Sequence, residues 1–195
     1  MLLTARILDA RVIFSGPRAG TGLRDRIVGP VNSLPTYEQL AALPATLRQV
    51  VPPEFIDQNG HMNIQHYLVL GAYGVAGLYD ELGMANDYIG RRGLSTFTAE
   101  HHLRYVAEIH EGADVTVRVL VVDRGAKAFH VLSLIVDETR ARLACVMETA
   151  LVHMDMSTRR PTPFPDDVAA LIDEVAERDR PDWELPLGGA IGVRR

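Results

Sequence analysis

The sequence predicts an α+β protein in which an antiparallel sheet of about five strands wraps around one long central helix. Three observations predict it. A long apolar stretch over residues 64–82 carries glycines three apart, four alternating segments follow it over residues 94–155, and the connections between them are turn-sized.

The opening MLLTARILDARVIF interrupts its apolar residues with polar groups every few positions and lacks a small-residue cleavage pattern, so it does not read as a signal peptide. Residues 15–35, SGPRAGTGLRDRIVGPVNSLP, are rich in Gly, Pro and Arg without a sustained period, which predicts a poorly packed or extended arm over 1–45. ATLRQVVPPEF then gives a short strand ended by two prolines. In the helix, Gly71, Gly74 and Gly77 each cost about 1 kcal/mol relative to Ala. Three of them on one stripe imply a close approach to the sheet. GMANDYIGRRG reads as a turn with a short helix.

The strand segments are 94–106, 114–123, 127–137 and 143–155, and Val115, Val117, Val119 and Val121 make the clearest period-two face. PDDVAALIDEVAERD closes the chain's pattern as an amphipathic helix, with Pro165 and two Asp at the end where the helix dipole favours them. The expected division is an arm over 1–45, a domain over 46–165, and a helix with a tail over 166–195.

Composition narrows the function. The chain has 195 residues, 47% hydrophobic and 23% charged, enough for one ordinary core. Its net charge of −5, from 20 basic and 25 acidic residues, offers no footprint for nucleic acid or an anionic membrane. The apolar run from Tyr67 to Tyr79 is shorter than the about 20 residues a bilayer requires. Cys145 is the one cysteine, which excludes a disulfide framework and a cysteine-rich metal site. It is expected to be buried and inert, in a cytoplasmic protein.

PPEFIDQNGHMNIQHYLVL places an Asp, two Asn, a Gly and two His where the core begins. Asp57 lies in a turn, Gly60 permits an unusual backbone angle, and the helix starts within a few residues. Free N–H groups near Met62 to Ile64 therefore face the turn, making an oxyanion hole beside a carboxylate.

These residues resemble the motif of hotdog-fold acyl-CoA thioesterases of the 4-hydroxybenzoyl-CoA thioesterase type: an Asp, a Gly three residues later and a Tyr ten residues later, matched by Asp57, Gly60 and Tyr67. The resemblance covers roughly residues 46–165. It implies that Asp57 is the catalytic carboxylate and that the Ile64 N–H polarises the thioester carbonyl. It also implies an acyl-CoA substrate bound at a subunit interface of a homodimer or dimer of dimers, with no metal or redox cofactor. IDQNGHMN together with VHMDMSTRRPTPFP is most similar to betainyl-CoA thioesterases of carnitine breakdown. Where the family's usual pair is Asn-Tyr, this chain has His66-Tyr67. Medium- or long-chain acyl-CoA is the alternative substrate. A hotdog enoyl-CoA hydratase or dehydratase, or a non-catalytic acyl-CoA-binding protein, are the alternative functions. The spacing DQNGH departs from the hydratase signature, which has Pro after the Asn and His one position later.

His61 is either a general acid or a residue bonding the helix start. Asn63 is a helix cap, or a hydrogen-bond partner of substrate or Asp57. Gly60 and Tyr67 are placed with the substrate site. Glu100 is assigned to a strand face with Thr98, His102 and Arg104, and Glu148, on an otherwise apolar face, needs a buried partner. His101 and His102 must face opposite sides of their strand. Arg159 and Arg160, after the last long strand, are the cations expected to meet the CoA phosphates, a need the resemblance supplies. For a trimethylammonium acyl group, Tyr73, Tyr79, Phe97 and Trp183 could supply aromatic faces and Glu100 the charge.

Overall fold

A computed structural model describes residues 34–85 and 87–193. Residues 1–33, which hold the opening segment and most of the expected arm, lie outside the described residues. The arm's last part is packed rather than loose. Helix α1 (Tyr37–Ala41) is closed by a capping box between Thr36 and Gln39, and its Leu40 is 0% exposed.

The remaining elements are β1 (Leu47–Val50), a single turn at Pro53–Phe55, α2 (Ile64–Glu81), α3 (Tyr88–Arg92), β2 (Leu94–Tyr105), β3 (Asp114–Arg124), β4 (Ala128–Asp137), β5 (Arg142–Asp155), the two-residue β6 (Arg160–Pro161) and α4 (Asp166–Arg178). All strand pairs are antiparallel, in the order β1-β3-β4-β5-β2, with β6 added to β5. The expected helix and four long strands therefore form where the sequence places them.

The sheet curls over α2. Val115, Val117, Val119 and Val121 point inward to the same buried cluster as Tyr67, Leu70, Val75 and Leu78 of the helix. The glycine stripe has the reason expected of it. A Cβ on Gly74 would sit 2.5 Å from Val117 Cγ1, and one on Gly77 would sit 2.3 Å from the backbone oxygen of Thr46. Helix α4 joins this cluster through Val168, Ile172 and Val175.

The sheet's outer face is also covered. Leu120, Leu132, Leu134 and Val146 lie beneath Leu40 of α1 and beneath Trp183, Leu185 and Leu187 of the C-terminal segment. Buried Arg118 ties α1 down, donating to the Leu40 carbonyl at 2.6 Å and to Glu138 at 3.0 Å. This double coverage explains why β4 is buried along its whole length instead of alternating.

A bulge between Thr98 and Glu100 corrects one face assignment. Thr98 pairs with Leu151 and Glu100 with Ala150, so the extra residue, Ala99, turns Thr98 to the inner face and leaves Glu100, His102 and Arg104 on the outer one. β2 is 12 residues long and forms an edge of the sheet.

Candidate active site

Residues 57–61 form a hairpin loop whose geometry fixes its sequence. The Asp57 N–H donates to the His61 carbonyl and the Gly60 N–H to the Asp57 carbonyl, both at 3.0 Å, and Gly60 has φ +80°. This is a three-residue loop in which a turn is followed by a left-handed residue, the position that favours glycine. Ile56 and Met62 bridge below it, and Met62, 1% exposed, plugs the loop into the core. Asp57 Oδ1 accepts the Asn59 N–H at 2.8 Å, the ordinary turn role of an Asp. Its other oxygen has no hydrogen-bond partner among the described residues.

Helix α2 begins directly after this loop. Asn63 is its N-cap: its side-chain oxygen accepts the Gln65 N–H at 3.1 Å and its carbonyl accepts the His66 N–H at 3.0 Å. Of the first three helical amides, the Ile64 N–H is therefore the one without a partner among the described residues. It sits at the positive end of an 18-residue helix, and the Ile64 side chain is exposed. His66 stacks on Phe55 with ring centroids 3.8 Å apart.

Tyr67 is buried, 4% exposed, and its hydroxyl is committed to backbone. It donates to the Ala107 carbonyl and accepts the Ile109 N–H, both at 3.2 Å. Tyr67 thus staples the helix to residues 107–109, and burial pushes its phenol above the ordinary value. That segment supports the loop at three further points. The Met62 N–H donates to the Ile109 carbonyl at 2.7 Å, His110 bonds the Gly60 carbonyl at 3.2 Å, and Glu108 Oε1 lies 3.7 Å from His61 Nε2. Arg142 in turn donates to the Glu108 carbonyl at 2.6 Å. Sequence reading did not single out Glu108 and His110. They lie about fifty positions from the motif in a connection without periodicity, and only chain folding brings them to it.

The structure gathers Asp57, Gly60, His61, Asn63, Ile64 and Tyr67 into one region. It does not bring Glu100 there: that exposed side chain stays on the outer face with His102 and Arg104. Arg159 and Arg160 are exposed in the turn before β6 and at its start, beside the Leu94 end of β2, whereas the Asp57 loop packs beyond the Tyr105 end. A strand of this length separates the ends by roughly 35 Å within one chain. Arg159 lies 5.8 Å from the Phe97 ring and holds φ 57°.

The aromatic set also divides. Trp183 and Phe97 pack on the outer face, the Tyr79 hydroxyl is engaged with Thr96 at 2.6 Å, and Tyr73 is 59% exposed on the open side of α2. Between α2 and β2 runs a groove of about 230 Å³, floored by Ala72 and Ala76 and edged by Thr96, Thr98 and His101. His101 faces this groove, bonding Thr149 at 3.0 Å, while His102 faces outward to Glu148, as their adjacency requires. Burial lowers the pKa of the His101 imidazole. Glu148 has the partners a buried carboxylate needs: His102, His130 and the Gly188 N–H. Among the described residues no group of His, Cys, Asp and Glu could hold a metal ion, and no helix is long and apolar enough to cross a membrane. Cys145 is buried, which pushes its thiol up to about 12.

A family model for the thioesterase-like superfamily matches residues 51–172, more than half of the chain, including the Asp57 loop, α2 and residues 107–110. The chain belongs to that superfamily. It is a thioester hydrolase with the hotdog arrangement of sheet around helix. The thioesterase is 29% identical to a betainyl-CoA thioesterase of Pseudomonas aeruginosa, over 75% of its own length and 91% of the relative's. It is also 29% identical to an L-carnitine dehydrogenase/betainyl-CoA thioesterase of Ruegeria pomeroyi, but there 77% of the chain matches 30% of a longer protein. Among solved structures, a Staphylococcus aureus protein in complex with CoA superposes with a TM-score of 0.70 at 23% identity, covering 78% of this chain and 96% of that one. A thioesterase assigned as such in Pseudomonas putida gives 0.61 at 25% identity, covering 70% and 86%.

Proposed function

We propose that the thioesterase hydrolyses betainyl-CoA to glycine betaine and CoA, with Asp57 and the Ile64 N–H as its reacting groups. The observation that carries the chemistry is that, among the described residues, the Ile64 N–H at the start of α2 has no partner and stands one hairpin loop away from a carboxylate with one oxygen unbonded. The thioester carbonyl oxygen accepts the Ile64 N–H, so helix dipole and hydrogen bond stabilise the charge that develops on it. Asp57 either attacks the carbonyl carbon, giving a mixed anhydride, or takes a proton from the attacking water. Asn63, as N-cap, fixes the amide that does the polarising. Tyr67 acts through the backbone it staples, and Gly60 acts through the loop it permits.

Two copies form the working unit in this reading. Leu68, Val69 and Tyr73 are large apolar residues exposed on α2, at 39%, 37% and 59%, and β2 offers a long edge beside them. Antiparallel pairing of two β2 edges about a two-fold axis covers both. It also carries the Arg159–Arg160 turn of the second copy toward the Asp57 loop of the first, where CoA phosphates could meet it. The site is then shared between subunits of a homodimer or dimer of dimers, in a cytoplasmic protein of carnitine breakdown.

The acyl identity rests on the 29% likeness to betainyl-CoA thioesterases. Its test compares betainyl-CoA with 3,3-dimethylbutyryl-CoA, a neutral ester of nearly the same shape. A site that recognises the cation by about 0.5–2 kcal/mol favours betainyl-CoA by a few-fold to about thirtyfold in kcat/KM. Equal or better turnover of the neutral ester removes betaine as the substrate and leaves the thioesterase.

A further inference from the structure

The hairpin loop pairs Asp57 with His61, and residues directly opposite each other in an antiparallel pair turn their side chains to the same face. The next pair, Ile56 and Met62, turns to the other face, where Met62 is buried in the core. Asp57 and His61 therefore project together, away from the core. On this side His61 meets a second carboxylate, Glu108, at 3.7 Å, with the two side chains 28% and 64% exposed. The imidazole shares a face with Asp57 and meets an acid from a distant part of the chain.

Stability does not account for this pair. A solvent-accessible ion pair contributes about 0–1 kcal/mol at most. Yet the backbone beneath Glu108 is held by an unusual number of side chains: Arg142 on its own carbonyl, Tyr67 on the residues either side, and His110 returning to Gly60. The segment is fixed against the loop on which Asp57 and His61 stand. A thioester hydrolase also needs what such a fixed acid–imidazole pair provides, a proton for the sulfur that leaves.

We infer that Glu108 is a positioning residue of the reaction, holding His61 as the proton donor to the departing CoA sulfur. The inference rests on Asp57 and Ile64 acting as proposed above. In the water route, water oxygen bonds to the carbonyl carbon as Asp57 takes its proton, leaving a tetrahedral oxyanion on the Ile64 N–H. The oxyanion collapses, the C–S bond breaks with its electron pair on sulfur, and the His61 imidazolium gives that sulfur a proton. Products are the carboxylic acid and CoA thiol. Of the two acidic protons then held by Asp57 and the product acid, one returns to His61 and the other leaves to solvent. In the anhydride route the same proton transfer accompanies C–S cleavage as the Asp57 carboxylate bonds to the acyl carbon, and water then splits the anhydride into the acid and free Asp57.

The test varies the leaving group. Wild-type, His61→Gln, Glu108→Gln and Glu108→Asp proteins are assayed on an acyl-CoA that the wild type hydrolyses and on the same acyl group carried by thionitrobenzoate, whose thiolate leaves without protonation. His61→Gln is expected to lower kcat/KM for the CoA ester by about 10²-fold and to leave the aryl thioester within a few-fold of wild type. Glu108→Gln shows the same selective loss at about tenfold, and Glu108→Asp recovers part of it. Circular dichroism confirms folding, which is expected because neither side chain is part of the buried core. A Glu108→Gln protein with undiminished CoA-ester turnover, or one impaired equally on both esters, overturns the assignment of Glu108. Failure of the wild type on every acyl-CoA in a panel overturns the proposed function itself and is distinguished by needing no variant.

Discussion

The Nε2 atom of His130 lies 3.2 Å from Glu148 Oε2, and the two side chains are 3% and 1% exposed. The other oxygen of Glu148 accepts the Gly188 N–H at 2.6 Å and faces His102 at 3.1 Å. A carboxylate beneath the sheet's outer covering thus anchors the C-terminal segment. Arg104 adds a bond to the Pro186 carbonyl at 3.0 Å.

Burial by itself raises the Glu148 pKa, but the close His130 imidazole and the hydrogen bonds from the Gly188 N–H and His102 outweigh it and hold the carboxyl below its usual value. Its folded pKa is therefore below the unfolded value of about 4.3. The stability this gives is present above that unfolded value and is lost as pH falls through the folded one. Glu148→Gln should remove about 1–3 kcal/mol at pH 7. For a chain of this size that is about 2–4 °C in Tm per kcal/mol. Thermal melts at pH 7 and pH 4 should show a larger gap between wild type and variant at pH 7.

Asp57→Asn is expected to lower kcat by about 10²–10⁴-fold with an unchanged melting temperature. A folded variant with wild-type turnover rules out the mechanism. Repeated turnover in ¹⁸O-water then separates the two routes: label in the Asp57 carboxylate means direct attack, and label confined to the product acid means activated water.

Tyr67→Phe removes one hydroxyl that serves two backbone groups, leaving the buried Ile109 N–H without a partner. The expected cost is about 1–3 kcal/mol in urea denaturation. Because residues 107–109 support the Asp57 loop, kcat should fall while KM changes little.

Gly77→Ala opposes two effects of known size. Helix propensity alone would stabilise by about 0.8–1.0 kcal/mol. The new Cβ would lie 2.3 Å from the Thr46 backbone oxygen, which no rotamer change can relieve. Overpacking of this kind costs about 1–3 kcal/mol, so the variant should unfold at a lower temperature than wild type.

Assembly is read most directly from α2. Tyr73→Glu places a charge on the exposed apolar stripe and should shift a dimer toward monomer in light scattering at micromolar concentration, with loss of activity. Arg159→Ala should raise KM for the CoA ester and weaken its salt dependence. A fully active wild-type monomer would exclude a shared site.

The helix, the four long strands and the loop that carries Asp57 are all legible in the order of residues alone. Those depend on local signals: a glycine at a left-handed position, an Asn at a helix start, and valines two apart facing one core. The free Ile64 amide was legible for the same reason, since a helix start always leaves N–H groups over. The remaining features depend on one-residue offsets and on contacts between residues far apart in the chain. One bulge at Ala99 turned Thr98 to the inner face and left Glu100 on the outer one, away from the Asp57 loop. The folding of residues 107–110 against the Asp57 loop supplied Glu108 and His110, and gave the Tyr67 hydroxyl its two backbone partners. The outer face was closed by α1 and the C-terminal segment, which turned Glu148 from an anomaly on an apolar strand into a buried anchor. Strand periodicity reports which residues alternate, but where a bulge falls and what covers a face are settled by packing between elements, which no local window of sequence contains.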